Sequence, residues 1–205
     1  MKNTVCITVV FLIPSEKSDD RVFLNKEFVW QRRQNGALIY MTFVPEYRFD
    51  TFCGASVEFL QSLGIKGIIL DIDNTLEPYE HPDAGEEVRN WLFSLKEAGI
   101  SAAFVSNNGR ERVERFNKPF GLPAYYKAKK PFKKNIIRAM NDMGTTRENT
   151  ILMGDQVFTD VIAAHNAGIA AILLPPINDK RDLFTRFKRL LEKIILKKYE
   201  KRKNK

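Results

Sequence analysis

The sequence is poor in the residues that form disulfides and nitrogen- or sulfur-based metal sites. Its 205 residues include two cysteines, Cys6 and Cys53, and two histidines, His81 and His165. The cysteines cannot build a disulfide framework and lack the spacing of metal ligands, so we expect a reducing compartment. Two histidines exclude a histidine-rich metal centre and argue against a Ser-His-Asp triad.

The sequence also lacks a long apolar run. No stretch reaches the ~18 apolar residues that a membrane-spanning helix needs. Residues 5–14 are apolar, but a polar stretch follows them without a small-residue cleavage site, which argues against a secretory signal. We therefore expect a cytoplasmic protein without a transmembrane segment.

Positive charge is concentrated at the C-terminal end. Residues 180–205 contain 12 Lys and Arg against 3 Asp and Glu, a local charge of +9, so the remaining residues carry about −1 of the net charge of +8. Apolar residues recur every three or four positions from 183 to 195, which predicts a basic amphipathic helix and tail over 179–205. Two interpretations stay open: the helix packs on the domain, or it binds the anionic inner face of the cytoplasmic membrane peripherally. Nucleic acid or a ribosome is a less favoured partner, because few aromatic residues are present for base stacking.

The N-terminal segment, residues 1–40, shows neither a helical nor a strand period. Met41 is followed by a sequence that is typical of the start of a domain. We therefore expect a domain at 41–178 and a non-domain extension at 1–40, and we hypothesise that natural translation begins at Met41.

Short β-branched apolar runs alternate with helical patterns from 66 to 176, which predicts one α/β domain with a parallel sheet covered by helices on both faces. The expected strands are 67–70, 100–105, 124–126, 150–153 and 170–174, and the expected helices are 86–98, 110–116, 132–143 and 158–167, with a loop and short helix at 46–63.

Four of these segments end in chemically distinctive side chains, namely Asp71, Asp73 and Thr75, then Ser106 and Asn107, then Lys130, then Asp155 and Asp160. The carboxyl ends of parallel strands gather at one edge of a sheet. Several aspartates without histidine form an oxygen-only set that suits Mg²⁺. A helix N-terminus and a lysine suit a phosphoryl group, so the pattern indicates phosphoryl transfer, with a carboxylate as candidate nucleophile.

These motifs, in this order, resemble the haloacid dehalogenase (HAD) superfamily, and more closely its class III (IIIA-type) phosphatases of the YqeG family. That family is related to mitochondrial phosphatidylglycerophosphate phosphatases. The matching segments are 67–76 (GIILDIDNTL), 105–108 (VSNN), 127–131 (KAKKP) and 154–160 (GDQVFTD). The similarity spans 41–196 and has no counterpart for residues 1–40.

The resemblance implies roles for the first two aspartates. Asp71 is expected to be the nucleophile and a Mg²⁺ ligand. Asp73 is expected to protonate the leaving group and then to activate water, while its backbone carbonyl contacts the metal.

The resemblance also implies the remaining roles. The expected phosphate-binding residues are Ser106 and Asn107, which bind the phosphoryl oxygens, together with Lys130 and Thr75, and Thr75 is also expected to support the loop. Lys130 is expected to offset charge on the nucleophile and the phosphate. Asp155 is expected to bind Mg²⁺, and Asp160 to orient a metal-bound water or Lys130.

The motif spacing leaves no room for a cap domain, because 30 residues separate Thr75 from Ser106 and 23 separate Ser106 from Lys130. An uncapped site suits a substrate whose bulk lies outside it. Together with the family resemblance and the predicted basic helix, this makes the leading hypothesis a Mg²⁺-dependent phosphatase that acts on phosphatidylglycerophosphate in phosphatidylglycerol synthesis. The alternatives are a soluble phosphatase for nucleotides, sugar phosphates or phosphoproteins, and a ribosome-associated binding protein with residual phosphatase activity.

Overall fold

The computed structural model describes residues 43–178, so the predicted extension at 1–40 and the predicted basic helix at 179–205 lie outside the described residues. Six parallel strands form one sheet in the order β1-β6-β5-β2-β3-β4. They are β1 Tyr47–Arg48, β2 Gly67–Leu70, β3 Ser101–Val105, β4 Ala124–Tyr125, β5 Thr150–Gly154 and β6 Ala170–Leu173. The predicted α/β fold with a parallel sheet is confirmed.

Within residues 43–178, five α-helices cover the two faces of the sheet. They are α1 Val57–Ser62, α2 Glu86–Glu97, α3 Arg110–Asn117, α4 Lys134–Met143 and α5 Ile162–Ala167, with a π-helical turn, Val157–Val161, directly before α5. Side chains of α1, α2 and α3 belong to one apolar core, and side chains of α4 and α5 belong to the other. The sheet therefore lies between two helical layers, as the sequence predicts.

The uninterrupted apolar run of β2 fits a strand whose two faces are both covered by helices. Ile68 and Leu70 lie in the core with α1 to α3, whereas Ile69 lies in the opposite core, and all three are fully buried. Successive side chains of a strand point to opposite faces, so an uninterrupted apolar run fits a strand that is covered on both sides. Burial of each such side chain contributes about 1.5–3 kcal/mol relative to exposure.

Strand β2 lies at the topological switch point of the sheet, where the order in which successive strands are added reverses. It pairs with β3 on one side and with β5 on the other, and Leu70 is level with Phe104 and Met153 in those neighbours. The loops that follow these three strands therefore start side by side at the carboxyl edge, where α/β folds open a ligand crevice. Between β2 and β4 the chain adds only α2, β3 and α3, so no cap domain is inserted there.

The structure differs from the sequence prediction at three places. Strand β1 lies in the segment predicted as loop and short helix, and it pairs with Ile172 and Leu173 of β6. A two-residue strand is too short to show a period. Helix α4 begins at Lys134 instead of 132, and the expected helix from 158 begins instead as the π-helical turn.

Within residues 43–178, no helix combines the length and the apolar character that crossing a membrane requires.

Candidate active site

The loop after β2 places two carboxylates at the carboxyl edge. The Asp71 amide donates to the Met153 carbonyl at 3.0 Å, which extends the pairing with β5 by one residue. Asn74 then turns the chain with a φ of 62°, a conformation that Asn tolerates better than most residues. Asp71 and Asp73 are consequently both buried, at 7% and 6% exposure.

Lys130 forms the electrostatic centre of the site. Its Nζ lies 2.9 Å from Asp71 Oδ1 and 2.6 Å from Asp160 Oδ1, and its side chain is 2% exposed. Burial opposes the charged form, but the Asp160 and Asp71 carboxylates outweigh it and hold the pKa of Lys130 above its ordinary value. The ammonium group is therefore a fixed positive charge beside the Asp71 carboxyl.

Asp155 joins the two carboxylates that contact Lys130 to form an acidic cluster. Oxygens of Asp71, Asp155 and Asp160 all lie within 4.8 Å of one another. Burial raises the pKa of Asp71 to about 8; Lys130 opposes the rise, while Asp160 and Asp155 add to it. A buried, oxygen-only cluster with excess negative charge has the donor chemistry of a site for a hard divalent cation.

Asp160 reaches the site because residue 154 has no side chain. A Cβ on Gly154 would lie 2.3 Å from Asp160 Cγ, closer than atoms can pack. Asp160 Oδ2 accepts hydrogen bonds from the Gln156 amide at 3.1 Å and from the Thr159 hydroxyl at 3.2 Å. Asp160 is thus held against Lys130, one of the two contacts that the sequence analysis proposed for it.

Asp73 faces away from the acidic cluster. Its Oδ1 accepts from Arg112 Nε at 3.1 Å, and its Oδ2 accepts from Asn108 Nδ2 at 3.0 Å. The expected contact of its backbone carbonyl with a metal stays a prediction. Neither Arg112 nor Asn108 was among the predicted site residues. Asn108 lies in the VSNN motif and could have been selected from it, whereas an arginine on a helix carries no such sequence signal.

The loop after β3 is joined to the loop that carries Lys130. The Asn107 side chain accepts from the Lys130 amide at 2.7 Å and donates to the Lys130 carbonyl at 3.2 Å. Ser106 Oγ accepts from the Asn108 amide at 3.0 Å and so shapes the turn before α3. This pairing fixes the lysine relative to the residues that are expected to bind phosphate.

A cavity of about 300 Å³ opens at this edge, and its walls are Asp71, Asp73, Tyr79, Ser106, Asn107, Asn108, Lys130, Gln156 and Thr159. Tyr79, at 54% exposure, forms part of the rim. Thr75 is absent from the wall. Its hydroxyl is buried below the loop and has no hydrogen-bond partner within residues 43–178. Five of the predicted site residues lie at the cavity wall: Asp71, Asp73, Ser106, Asn107 and Lys130. Thr75, Asp155 and Asp160 do not line it. Asp155 and Asp160 instead complete the acidic cluster with Asp71.

Comparison with known proteins identifies the family. The profile of haloacid dehalogenase-like hydrolases matches residues 65–174, which include every site residue described above. The chain belongs to the haloacid dehalogenase-like hydrolases. It is also 37% identical over 154 residues to the probable phosphatase YqeG of Bacillus subtilis (strain 168), covering 75% of this chain and 90% of that protein. This similarity confirms the predicted YqeG family.

Other HAD-like proteins are more distant. The pyrophosphatase PpaX of Halalkalibacterium halodurans is 30% identical over 106 residues, which are 47% of this chain and 46% of that protein. A solved structure of 3-deoxy-D-manno-octulosonate 8-phosphate phosphatase from Moraxella catarrhalis, in complex with magnesium and phosphate ions, matches with 18% identity and a TM-score of 0.44. That match covers 68% of this chain and 91% of the other. The family and its phosphatase-named members support the predicted class, a phosphoric monoester hydrolase.

Proposed function

We propose that the protein is a Mg²⁺-dependent phosphomonoesterase that acts through an aspartyl-phosphate on Asp71, and that its substrate is the lipid phosphatidylglycerophosphate. One observation carries the chemical part of this proposal. Asp71 lines the cavity, lies 2.9 Å from a fixed ammonium group and belongs to the buried acidic cluster. This combination of nucleophile, cation and metal-binding carboxylates suits phosphoryl transfer.

The reaction has two steps. An oxygen of ionised Asp71 forms a bond to phosphorus as the bond to the leaving oxygen breaks, and Asp73 gives that oxygen a proton. Asp73, now ionised, accepts a proton from the water that attacks the phosphoenzyme, which releases phosphate and regenerates Asp71. Lys130 offsets negative charge on the nucleophile and the phosphoryl group, while Ser106 and Asn107 bind the phosphoryl oxygens.

Asp71, Asp155 and the Asp73 carbonyl would hold Mg²⁺, with Asp160 behind them. When bound, the cation supplies positive charge that lets the carboxylate approach the phosphate dianion.

The lipid part of the proposal is supported by the surroundings of the cavity. No cap covers it in the described part of the chain. Residues 115–141 contain eight Lys and Arg and no Asp or Glu, and this segment includes the loop that carries Lys130. Lys127, Lys129, Lys133 and Lys134 are exposed, and Phe132 is 70% exposed among them. Such a surface favours an anionic, partly apolar partner, so we propose peripheral association with the inner face of the cytoplasmic membrane.

The test is phosphate release by the full-length protein with Mg²⁺ from four substrates: phosphatidylglycerophosphate in vesicles, a nucleoside monophosphate, a sugar phosphate and pyrophosphate. We expect the lipid to give the highest kcat/KM. Asp71→Asn should abolish release, and Asp83→Asn, which changes an exposed carboxylate, should not. Brief incubation with ³²P-labelled substrate should label the wild type at a group that hydroxylamine cleaves, as an acyl phosphate does.

Each part of the proposal can fail separately. An active Asp71→Asn variant would refute the aspartyl-phosphate mechanism. A higher kcat/KM for the nucleotide, the sugar phosphate or pyrophosphate would refute the lipid assignment and support the soluble phosphatase instead. Absence of release from all four substrates would favour the binding-protein alternative.

A further inference from the structure

Arg112 makes a buried ion pair with Asp73 that the mechanism above does not use. The guanidinium Nε lies 3.1 Å from Asp73 Oδ1, and the two side chains are only 11% and 8% exposed. Exposed ion pairs contribute little because water screens them, but a pair at this depth fixes its members in one geometry.

Arg112 is itself held from two further sides. Its Nη1 donates to the Pro82 carbonyl at 2.6 Å, in the loop before α2. Its guanidinium carbon lies 5.3 Å from the centre of the Phe116 ring, and Phe116 is fully buried in the core. The planar guanidinium group therefore has a fixed position before it meets Asp73.

The Asp73 carboxylate has little rotational freedom as a result. Arg112 binds one of its oxygens and Asn108 binds the other, and both donors come from the segment 108–112 at the start of α3. An ionised carboxylate offers about four lone-pair sites. Each oxygen can therefore accept one further proton or hydrogen bond, and Asp73 lines the cavity where a leaving group or a water would lie.

We propose that Arg112 is a positioning residue for proton transfer: together with Asn108 it holds the Asp73 carboxylate at the cavity wall, in place to exchange a proton with the leaving group and with water. This inference rests on the proposed phosphatase function. A misplacement of about 1 Å can lower a rate about 100-fold, so the position of Asp73 matters as much as its presence.

The diagnostic measurement is the dependence of kcat/KM on the leaving group, because hydrolysis of the phosphoenzyme, which follows departure of the leaving group, is the same step for every ester. Phenyl phosphate and p-nitrophenyl phosphate have similar shapes, but nitrophenolate leaves without much help from an acid, whereas phenolate needs a proton. Arg112→Met should lower kcat/KM for phenyl phosphate at least about 10-fold more than kcat/KM for p-nitrophenyl phosphate, since general acid catalysis contributes about 100- to 10,000-fold. KM should change less than about threefold, because the phosphate-binding residues stay in place.

Two further variants control for folding and for loss of charge. Arg112→Lys keeps a cation but loses the fork that also binds the Pro82 carbonyl, so it should restore part of the rate that Arg112→Met loses with phenyl phosphate. Arg115→Met removes another arginine of α3, whose partner Asp83 lies at the surface, and its two rates should equal those of the wild type. Thermal unfolding of all three variants identifies any that have lost the native fold.

The outcomes separate this inference from the proposed function. If the wild type cleaves both esters and Arg112→Met lowers kcat/KM equally for the two esters, or for neither, then Arg112 does not position Asp73. An Arg112→Lys variant that matches Arg112→Met in a folded state would contradict the role of the positive charge. If the wild type cleaves neither ester and releases no phosphate from the four substrates named above, the proposed phosphatase function fails and the positioning role fails with it.

Discussion

The acidic cluster predicts that cation binding is coupled to the release of a proton. In the metal-free protein the pKa of Asp71 is about 8, so half of this carboxyl is protonated at pH 8. At pH 6 about 99% of it is protonated, and a cation that displaces this proton should bind about 50-fold more weakly than at pH 8. Lys130 stays charged over this range and contributes no proton, because its own pKa is raised.

Isothermal titration of the full-length protein with Mg²⁺ at several pH values between 6 and 9 measures this coupling. The affinity should rise up to about tenfold per pH unit below 8 and level off above it. Titrations in buffers with different ionisation enthalpies should show release of close to one proton at pH 7. An affinity that is constant from pH 6 to 8 would refute the reasoning.

The same pKa makes folding of the metal-free protein depend on pH. The folded state holds a proton on Asp71 up to about pH 8, whereas the unfolded chain loses it near the ordinary value of 3.8. The resulting stability is complete below about pH 4 and is lost as the pH rises to 8. Asp71→Asn, which cannot ionise, should flatten this part of the profile in chemical denaturation without metal.

Three substitutions test other features of the site, each by the free energy of unfolding from chemical denaturation. Lys130→Met should destabilise the protein by about 3–5 kcal/mol, because it leaves buried carboxylates without their cation. Lys129→Met, at an exposed position, should not destabilise it. Equal losses of stability in the two variants would contradict the buried ion pair. Thr75→Val should leave the free energy of unfolding nearly unchanged, since the Thr75 hydroxyl makes no hydrogen bond within the described chain. Thr150→Val should lower it by about 1–2 kcal/mol. It removes a hydroxyl that bonds to the Thr146 carbonyl at 2.6 Å and to the Thr145 hydroxyl at 2.8 Å. Gly154→Ala should cost about 1–3 kcal/mol and lower the rate of phosphate release, because the new methyl group displaces Asp160; a fully active variant would show that the position of Asp160 is unimportant.

The sequence carries enough information for the sheet and for the polar ends of its strands. The apolar run of β2 is long enough to mark a buried strand, and Asp71 follows it directly. The parallel arrangement then requires Lys130 and Asp155, which follow other strands, to come to the same edge. Their proximity is thus a consequence of topology and could be predicted.

Features that depend on single three-dimensional contacts could not be predicted. The β1 edge strand is held in part by Glu46, whose carboxylate accepts from the Ala171 amide at 2.7 Å and pairs with His165, and these residues are more than 100 positions apart in the chain. Arg112 likewise meets Asp73 across 39 positions, from a helix whose polar residues all resemble ordinary surface residues. No local period encodes such pairs.

The double hydrogen bond between the Asn107 side chain and the backbone of Lys130 has a consequence for how the cavity can change shape. The loop after β3 and the loop that bears Lys130 are tied at their tips, so these two walls move as one body. Within residues 43–178, we expect any widening that admits a bulky headgroup to involve another part of the rim, such as the loop before α2, where Tyr79 is exposed. The wall that carries the lysine should then keep its shape while the substrate enters.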